Sequence, residues 1–148
     1  LDADHALAHI NRGDIYLRRG ERERAAADFR RVVAFLSDAI DLNPDDAMLY
    51  TLRGAALNRL DLLDEAIADL DEAIGRAPET AQSYRHRGEV LYTQERHREA
   101  IADFDKGLSI DATNPIIVRL RAAAYAALGE REQAAEDLQL AERLEEGC

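Results

Sequence analysis

Residues 53–78, RGAALNRLDLLDEAIADLDEAIGRAP, contain the pattern that decides the fold of this 148-residue chain. From Ala66 to Ile74, apolar residues recur at spacings of three and four, which places them along one face of an α-helix. The small residue Gly54 lets another helix approach closely, and Pro78 ends the stretch. The stretch therefore predicts two amphipathic helices joined by a short turn.

The same pattern recurs every 34 residues. Arg-Gly at 53–54 is followed by Arg-Gly at 87–88 and Arg-Ala at 121–122, and an earlier copy begins near Arg12. Such a period indicates stacked helix pairs rather than one globular core. We predict a single array of four repeats, at residues 6–46, 47–80, 81–114 and 115–148. Because residues 1–5 match the tail of a repeat, we expect the chain to be a slice of a longer array, or its ends to contact other chains.

This pattern resembles the tetratricopeptide repeat family, whose repeats of about 34 residues carry small, aromatic and proline residues at set positions. The matching residues are Gly54, Ala66, Leu70, Ala73 and Pro78 in repeat 2, Gly88, Ala100, Phe104 and Gly107 in repeat 3, and Ala122, Tyr125, Gly129, Ala134, Leu138 and Ala141 in repeat 4. Ala112 and Glu146 occupy the proline position of the last two repeats, so that signal is missing there. The resemblance covers essentially the whole chain and implies an all-α fold, a right-handed superhelix (α-solenoid) of antiparallel helix pairs.

The first repeat contains seven extra residues between Phe29 and Ala39. A heptad adds about 10 Å of helix and nearly two full turns, so the apolar face stays in phase. We therefore predict one continuous helix from about residue 22 to about residue 42. Its added apolar stripe, which includes Phe35 and Leu36, is either covered by the chain's own next helix or forms an extra interface with a partner or a second copy.

Arginine stands at the seventh position and aspartate at the twenty-third position of every predicted repeat. The pairs are Arg12 and Asp28, Arg53 and Asp69, Arg87 and Asp103, and Arg121 and Asp137. Opposite charges at one constant separation predict a ladder of Arg–Asp ion pairs, within a repeat or to the next one, for which the bidentate guanidinium is well suited. The alternative is a row of arginines that contacts phosphate.

In the family that this chain resembles, six positions on the first helix of each repeat face a concave groove that holds a peptide segment of a partner protein. The corresponding residues here, which we call the groove set, are Leu7, Ile10, Asn11, Asp14, Leu17, Arg18, Met48, Thr51, Leu52, Ala55, Asn58, Arg59, Gln82, Arg85, His86, Glu89, Tyr92, Thr93, Ile116, Arg119, Leu120, Ala123, Ala126 and Ala127. Four arginines against two carboxylates give this set a charge of about +2. We expect a protein or peptide partner that is acidic or neutral and has apolar anchors near Met48, Leu52, Ile116 and Leu120.

One specialisation of the family holds the C-terminal carboxylate of chaperone tails with lysine and asparagine side chains. At the corresponding positions this chain has Ile10, Asp14, Leu52, Gln82 and His86. The resemblance therefore does not predict binding by that mode.

Composition narrows the range of partners and compartments. A net charge of −11 opposes nucleic-acid binding, which requires a basic surface. No apolar run approaches the roughly 18 residues of a membrane-spanning helix, so we expect no membrane partner. The single cysteine, Cys148, excludes an internal disulfide, and a cytoplasmic location is the expectation.

Catalysis is not expected, because the sequence has no glycine-rich phosphate loop, nucleophile motif or metal-ligand quartet. His5 and His9 have a spacing that can hold a metal, but two surface histidines are the simpler interpretation, and we predict no cofactor or metal. The predicted function is a non-catalytic scaffold or adaptor that binds a peptide in its groove. The alternative is a structural element whose uncapped ends and apolar extension drive self-association.

Overall fold

The computed structural model describes residues 3–147, with side chains from Ala6 onward, and the structural statements below concern those residues. They form eight α-helices: α1 (Ala3–Arg18), α2 (Arg22–Leu42), α3 (Ala47–Arg59), α4 (Leu63–Arg76), α5 (Ala81–Thr93), α6 (His97–Ile110), α7 (Pro115–Ala127) and α8 (Arg131–Glu146). The prediction of an all-α fold is confirmed. The prediction of one uninterrupted helix over residues 22–42 is also confirmed, by α2.

The helices divide into two compact units. Unit 1 ends at Pro78 and contains α1 to α4, and unit 2 begins at Glu79 and contains α5 to α8. In unit 1, α1 packs against α2, α2 against α3, and α3 against α4; unit 2 repeats this order with α5 to α8. Each unit is therefore a continuous stack of two helix pairs.

Small residues on the first helix of a pair allow the second helix to lie close. A Cβ atom added to Gly54 would lie 2.7 Å from Leu70 Cγ, and one added to Gly13 would lie 2.6 Å from Phe29 Cε1. Both distances are too short for carbon atoms in contact, so a larger residue would force the helices apart. Leu70 and Phe29 are fully buried as a result of this approach.

The turn inside each helix pair of the described chain contains one residue with a positive φ. These residues are Gly20 (77°), Asp61 (62°), Glu95 (59°) and Gly129 (79°). Glycine adopts this left-handed conformation without steric cost, aspartate tolerates it moderately, and glutamate tolerates it less well. The four turns thus share one geometry although only two of them have the residue best suited to it.

Candidate functional site

The predicted Arg–Asp ladder is present in all four helix pairs of the described chain. In each pair the arginine Nε and Nη2 atoms donate to the two oxygens of the aspartate sixteen residues later, over 2.7–2.8 Å, and the pairs are Arg12–Asp28, Arg53–Asp69, Arg87–Asp103 and Arg121–Asp137. The four carboxylates are buried, with 4–7% of their surface exposed. The ladder is confirmed and lies within helix pairs. The alternative of arginines open to phosphate is wrong, because carboxylates hold them.

The ladder shifts the pKa of several of its members away from the ordinary value. The hydrogen bond from Arg12 lowers the pKa of Asp28, although burial acts in the opposite direction. The pKa of Arg121 is raised, chiefly by its hydrogen bond to Asp137 and also by one to Asp105. Both groups therefore stay charged at neutral pH, and the ladder fixes each second helix against its first helix.

Two of these arginines also bind the preceding helix. Arg53 Nη1 donates to Ser37 Oγ at 3.0 Å, and Arg121 Nη1 donates to Asp105 Oδ1 at 2.6 Å, in both cases sixteen residues earlier. Arg53 and Arg121 therefore connect three consecutive helices within their units. Sequence reasoning missed the contact of Arg53 with Ser37, because Ser37 carries no charge that would match the arginine.

The extra apolar stripe of α2 is covered mainly within unit 1. Val32, Leu36 and Ile40 form a buried cluster with Ala6 of α1 and with α3, to which α3 contributes Leu49, Leu52 and Ala56. Leu36 is fully buried, so a partner cannot contact it in this conformation. Of the two alternatives for the stripe, coverage by the chain itself therefore applies to Leu36. Phe35 packs against the same cluster but is only half-buried.

In unit 1 the groove set contains both surface and interior residues. Arg59 Nε on α3 donates to Asp14 Oδ1 on α1 at 2.9 Å, which brings these two members together across neighbouring first helices. Met48 is 42% exposed. Thr51 is 1% exposed and donates to the carbonyl of Ala47 in its own helix, and Leu52 is 6% exposed. The side chains of Thr51 and Leu52 are therefore interior and could not act as surface anchors in this conformation.

In unit 2 three members of the groove set form a half-buried polar cluster on α5. Arg85 Nη1 donates to Glu89 Oε1 at 2.6 Å, and Arg85 Nη2 lies 2.8 Å from His86 Nε2. His86 Nδ1 lies 3.4 Å from Glu89 Oε2. The geometry suits a neutral His86 that accepts from Arg85 through Nε2 and presents its Nδ1–H toward Glu89.

Arg119 on α7 is directed toward α8. Its Nε and Nη2 atoms donate to Glu145 Oε1 and Oε2 at 2.9 and 2.6 Å, and these bonds raise the pKa of Arg119. Glu145 lies outside the groove set and balances one of its four arginines, which reduces the expected charge of about +2 to about +1. The electrostatic preference for an acidic partner is correspondingly weaker than the sequence suggested.

The remaining members of the groove set differ in exposure. Ala55 is buried, and Ile10, Asn58 and Leu120 are half-buried. The others are exposed: Leu7, Asn11, Leu17, Arg18, Gln82, Tyr92, Thr93, Ile116, Ala123, Ala126 and Ala127. Ile116 is the most exposed of the large apolar members, at 56%. The side chains of Met48 and Ile116 are thus exposed enough to contact apolar groups of a partner, whereas that of Leu120 is only partly accessible.

Sequence reasoning also missed a contact site around Tyr50. The Arg76 guanidinium lies 5.2 Å from the centre of the Tyr50 ring, and Arg76 Nη1 donates to Asp45 Oδ1 at 2.7 Å. This arrangement ties the end of α4 to the loop before α3. Asp45 and Arg76 lie 31 residues apart and no repeated pattern links them, so no signal in the sequence pointed to the pair.

Neither a metal site nor a membrane span is found among residues 3–147. No group of three or more His, Cys, Asp or Glu side chains among residues 6–147 is placed to hold a metal ion. The His5 side chain lies outside the described residues, while His9 Nδ1 lies 3.0 Å from Arg12 Nη2 and 3.5 Å from Asp28 Oδ1. None of the eight helices is long and apolar enough to cross a membrane.

Comparison with solved structures finds the same fold in other proteins. MamA from Desulfovibrio magneticus RS-1 superimposes with a TM-score of 0.75 at 20% identity, over 98% of this chain and 97% of that one. Another MamA crystal structure gives a TM-score of 0.69 at 23% identity, over 99% and 81% of the two chains. The first TPR of Spaghetti (RPAP3), bound to the HSP90 peptide SRMEEVD, gives 0.59 at 22% identity, over 87% and 97%.

Sequence comparison identifies the family. No curated protein sequence matches the chain. The sequence model of the tetratricopeptide repeat matches it at residues 1–40, 34–79 and 63–115, which together span well over half of its length. The prediction of an α-solenoid of this type is confirmed by these matches and by the solved structures. The chain belongs to the tetratricopeptide repeat family.

Proposed function

We propose that this chain is a non-catalytic interaction module that binds an extended segment of a partner protein along its first helices, α1, α3, α5 and α7. Proteins with this fold typically serve as scaffolds for protein–protein interaction. The residues of the groove set lie on these four helices.

The location of the exposed apolar side chains is the observation on which the proposal rests. Ten large apolar residues are exposed in the described part of the chain. Half of them belong to the groove set, namely Leu7, Leu17, Met48, Tyr92 and Ile116. The groove set has only six positions in each predicted repeat, so its share of the exposed apolar side chains is larger than its share of the chain, and exposed apolar surface can mark an interaction site.

The polar residues of the groove set indicate what charge the bound segment would carry. The Asp14–Arg59 pair and the Arg85–His86–Glu89 cluster are half-buried and internally matched in charge, apart from the weak positive excess. A segment that is neutral or mildly acidic, with an apolar side chain for Met48 in unit 1 or for Ile116 in unit 2, would satisfy both features.

The RPAP3 structure supports a peptide as the class of ligand, because that domain holds the peptide SRMEEVD. The lysine and asparagine residues expected for gripping a terminal carboxylate are absent from the corresponding positions here. We therefore propose an internal segment of a partner rather than its C-terminus.

The proposal is tested with one groove variant and one matched control. A partner captured by the wild-type chain is mapped to its bound segment, and that segment is synthesised for titration calorimetry. Met48→Asp with Ile116→Asp should weaken binding about tenfold or more, which corresponds to at least about 1.4 kcal/mol. Leu62→Asp with Ile110→Asp changes residues of similar exposure, 41% and 38%, outside the groove set, and should leave the affinity unchanged. Equal losses in the two variants, or no loss in the groove variant, would contradict groove binding.

A second candidate function is self-association, and the exposure of two apolar residues favours it. Ile15 on α1 is 46% exposed, whereas the equivalent residues of α3, α5 and α7 (Ala56, Val90 and Ala124) are fully buried. Leu138 on α8 is 45% exposed, whereas the equivalent Phe29, Leu70 and Phe104 are fully buried. The faces around Ile15 and Leu138 would be the contacting surfaces, and the buried Leu36 would take no part.

Light scattering after size exclusion, over a hundredfold range of concentration and with reductant present, distinguishes the two functions. Self-association predicts a mass that rises with concentration and returns to that of a monomer in an Ile15→Asp, Leu138→Asp variant. A monomer at every concentration would exclude it and leave groove binding as the remaining function.

A further inference from the structure

A small cleft in unit 1 opens between α2 and α4, with α3 at its base. Its volume is about 280 Å³. The apolar part of its lining comes from Val33, Leu57 and Ala68. None of these residues belongs to the groove set, so the cleft is separate from the proposed peptide site.

Four polar side chains complete the lining: Ser37, Arg53, Glu65 and Asp69. Arg53 and Asp69 are already paired through two hydrogen bonds of 2.7 Å, and Arg53 also binds Ser37. Glu65 is exposed and gives the cleft one negative charge beyond the balanced Arg53–Asp69 pair. The cleft therefore favours a hydrogen-bond donor and disfavours an anion.

The same framework occurs in unit 2, where the chain itself supplies an aromatic ring. Arg121 and Asp137 correspond to Arg53 and Asp69, and the residue one turn after the arginine is Tyr125 in unit 2 but Leu57 in unit 1. Tyr125 is half-buried, and its pKa is raised by burial and by the nearby Asp105. A phenol ring is thus compatible with the surroundings of such an Arg–Asp pair.

The volume limits the occupant to one side chain. Pockets for drug-sized molecules measure about 300–1,000 Å³, so a cleft of about 280 Å³ is too small for a helix or an extended peptide. Aromatic side chains that enter small pockets are frequent anchors of protein interfaces.

We propose that the α2–α4 cleft binds a tyrosine side chain of a partner protein. The ring lies between Val33, Leu57 and Ala68, and the phenol O–H donates to the Glu65 carboxylate. The occupant replaces the ring that Tyr125 supplies within unit 2.

The experiment uses p-cresol, the tyrosine side chain as a free molecule, and follows the Val33 methyl groups by ¹H–¹³C NMR. In the wild-type chain, p-cresol should shift the Val33 signals saturably. Leu57→Tyr places in the cleft the residue that stands at the equivalent position of unit 2, and should weaken this binding about tenfold or more. Ala68→Leu fills it from an exposed position of α4, so it provides the same test if Leu57→Tyr fails to fold.

Two further probes and one variant test the chemical class of the occupant. 4-Methylphenyl phosphate should not bind, because the Glu65 carboxylate repels its negative charge. Glu65→Gln should weaken p-cresol binding about threefold through the loss of a charge-assisted hydrogen bond. n-Butylammonium represents a lysine side chain and should bind more weakly than p-cresol. Stronger binding of n-butylammonium or of the phosphate, no saturable shift with p-cresol, or equal shifts in the filled variants would overturn the proposal.

Discussion

Arg53 and Ser37 are joined by a hydrogen bond of 3.0 Å between Nη1 and Oγ, and this bond locates the insertion in α2. In unit 2, Arg121 makes the equivalent contact with Asp105, which lies two residues after the ladder residue Asp103. Ser37 lies nine residues after the ladder residue Asp28, a difference of seven. Phe29 packs on Gly13 as Phe104 packs on Gly88, so the added heptad is residues 30–36.

Deletion of residues 30–36 should give a protein that still folds cooperatively. Both anchor points of α2 remain, and the shortened helix has 14 residues, the same number as α4 and α6. The variant loses the buried Val32 and Leu36, so its free energy of unfolding should fall by about 3–6 kcal/mol. Urea unfolding followed by circular dichroism measures this change.

A deletion of five residues, 30–34, provides the control for helical phase. Five residues rotate the rest of α2 by about 140° relative to its start, whereas seven rotate it by only about 20°. The five-residue deletion should therefore lose cooperative unfolding. Equal stability of the two deletions would show that helical phase does not explain the length of the insertion.

Leu36→Ala should lower the free energy of unfolding by about 2–5 kcal/mol, because it leaves a cavity among fully buried neighbours. Phe35→Ala should cost less, about 1–2 kcal/mol, because the Phe35 ring is only half-buried. Chemical unfolding at low protein concentration gives both values. A loss for Phe35→Ala that equals or exceeds the Leu36 loss, and grows with protein concentration, would mean that a second copy covers Phe35.

The ladder should make stability depend on pH in the acid range. The pKa of Asp28 in the folded chain lies below its ordinary value of 3.8, so its ion pair contributes fully well above pH 3.8. This contribution is lost as the pH falls from that value through the lower folded-state pKa. Urea midpoints measured from pH 7 to pH 2 should fall less steeply for Asp28→Asn than for the wild type, since the variant has no carboxylate to protonate there. Parallel curves for the two proteins would argue against a stabilising pair.

The turn residues offer a test of backbone strain. Glu95→Gly should raise the free energy of unfolding by about 0.5–1 kcal/mol, because glycine adopts a φ of 59° without a Cβ clash. Gly129→Ala, at a φ of 79°, should lower it by about 1–2 kcal/mol. Thermal unfolding of the two variants and of the wild type measures both changes in the free energy of unfolding. Gly75→Ala lies inside α4, where an added Cβ meets open space, and should be neutral or stabilising, which controls for the effect of glycine itself.

Much of the fold could be predicted from sequence, because its determinants are periodic. Apolar spacing along α4, the small residue Gly54 opposite Leu70, and arginine and aspartate at constant separation each recur with the same offset. The groove set was less predictable: Thr51 and Leu52 stand at groove positions but are buried, and Arg119 binds Glu145. Such outcomes depend on which neighbour each side chain meets, and periodicity does not encode that.

The sequence by itself determined the helix pairs, the continuity of α2 and the Arg–Asp ladder, because local spacing and helical phase are sufficient for each of them. Only the tertiary structure decided that Leu36 is covered by the chain, that Arg59 contacts Asp14 and that Leu57 lines a cleft between α2 and α4. These features arise where side chains from helices distant in sequence meet. Their geometry follows from packing between helices, which no single helix specifies.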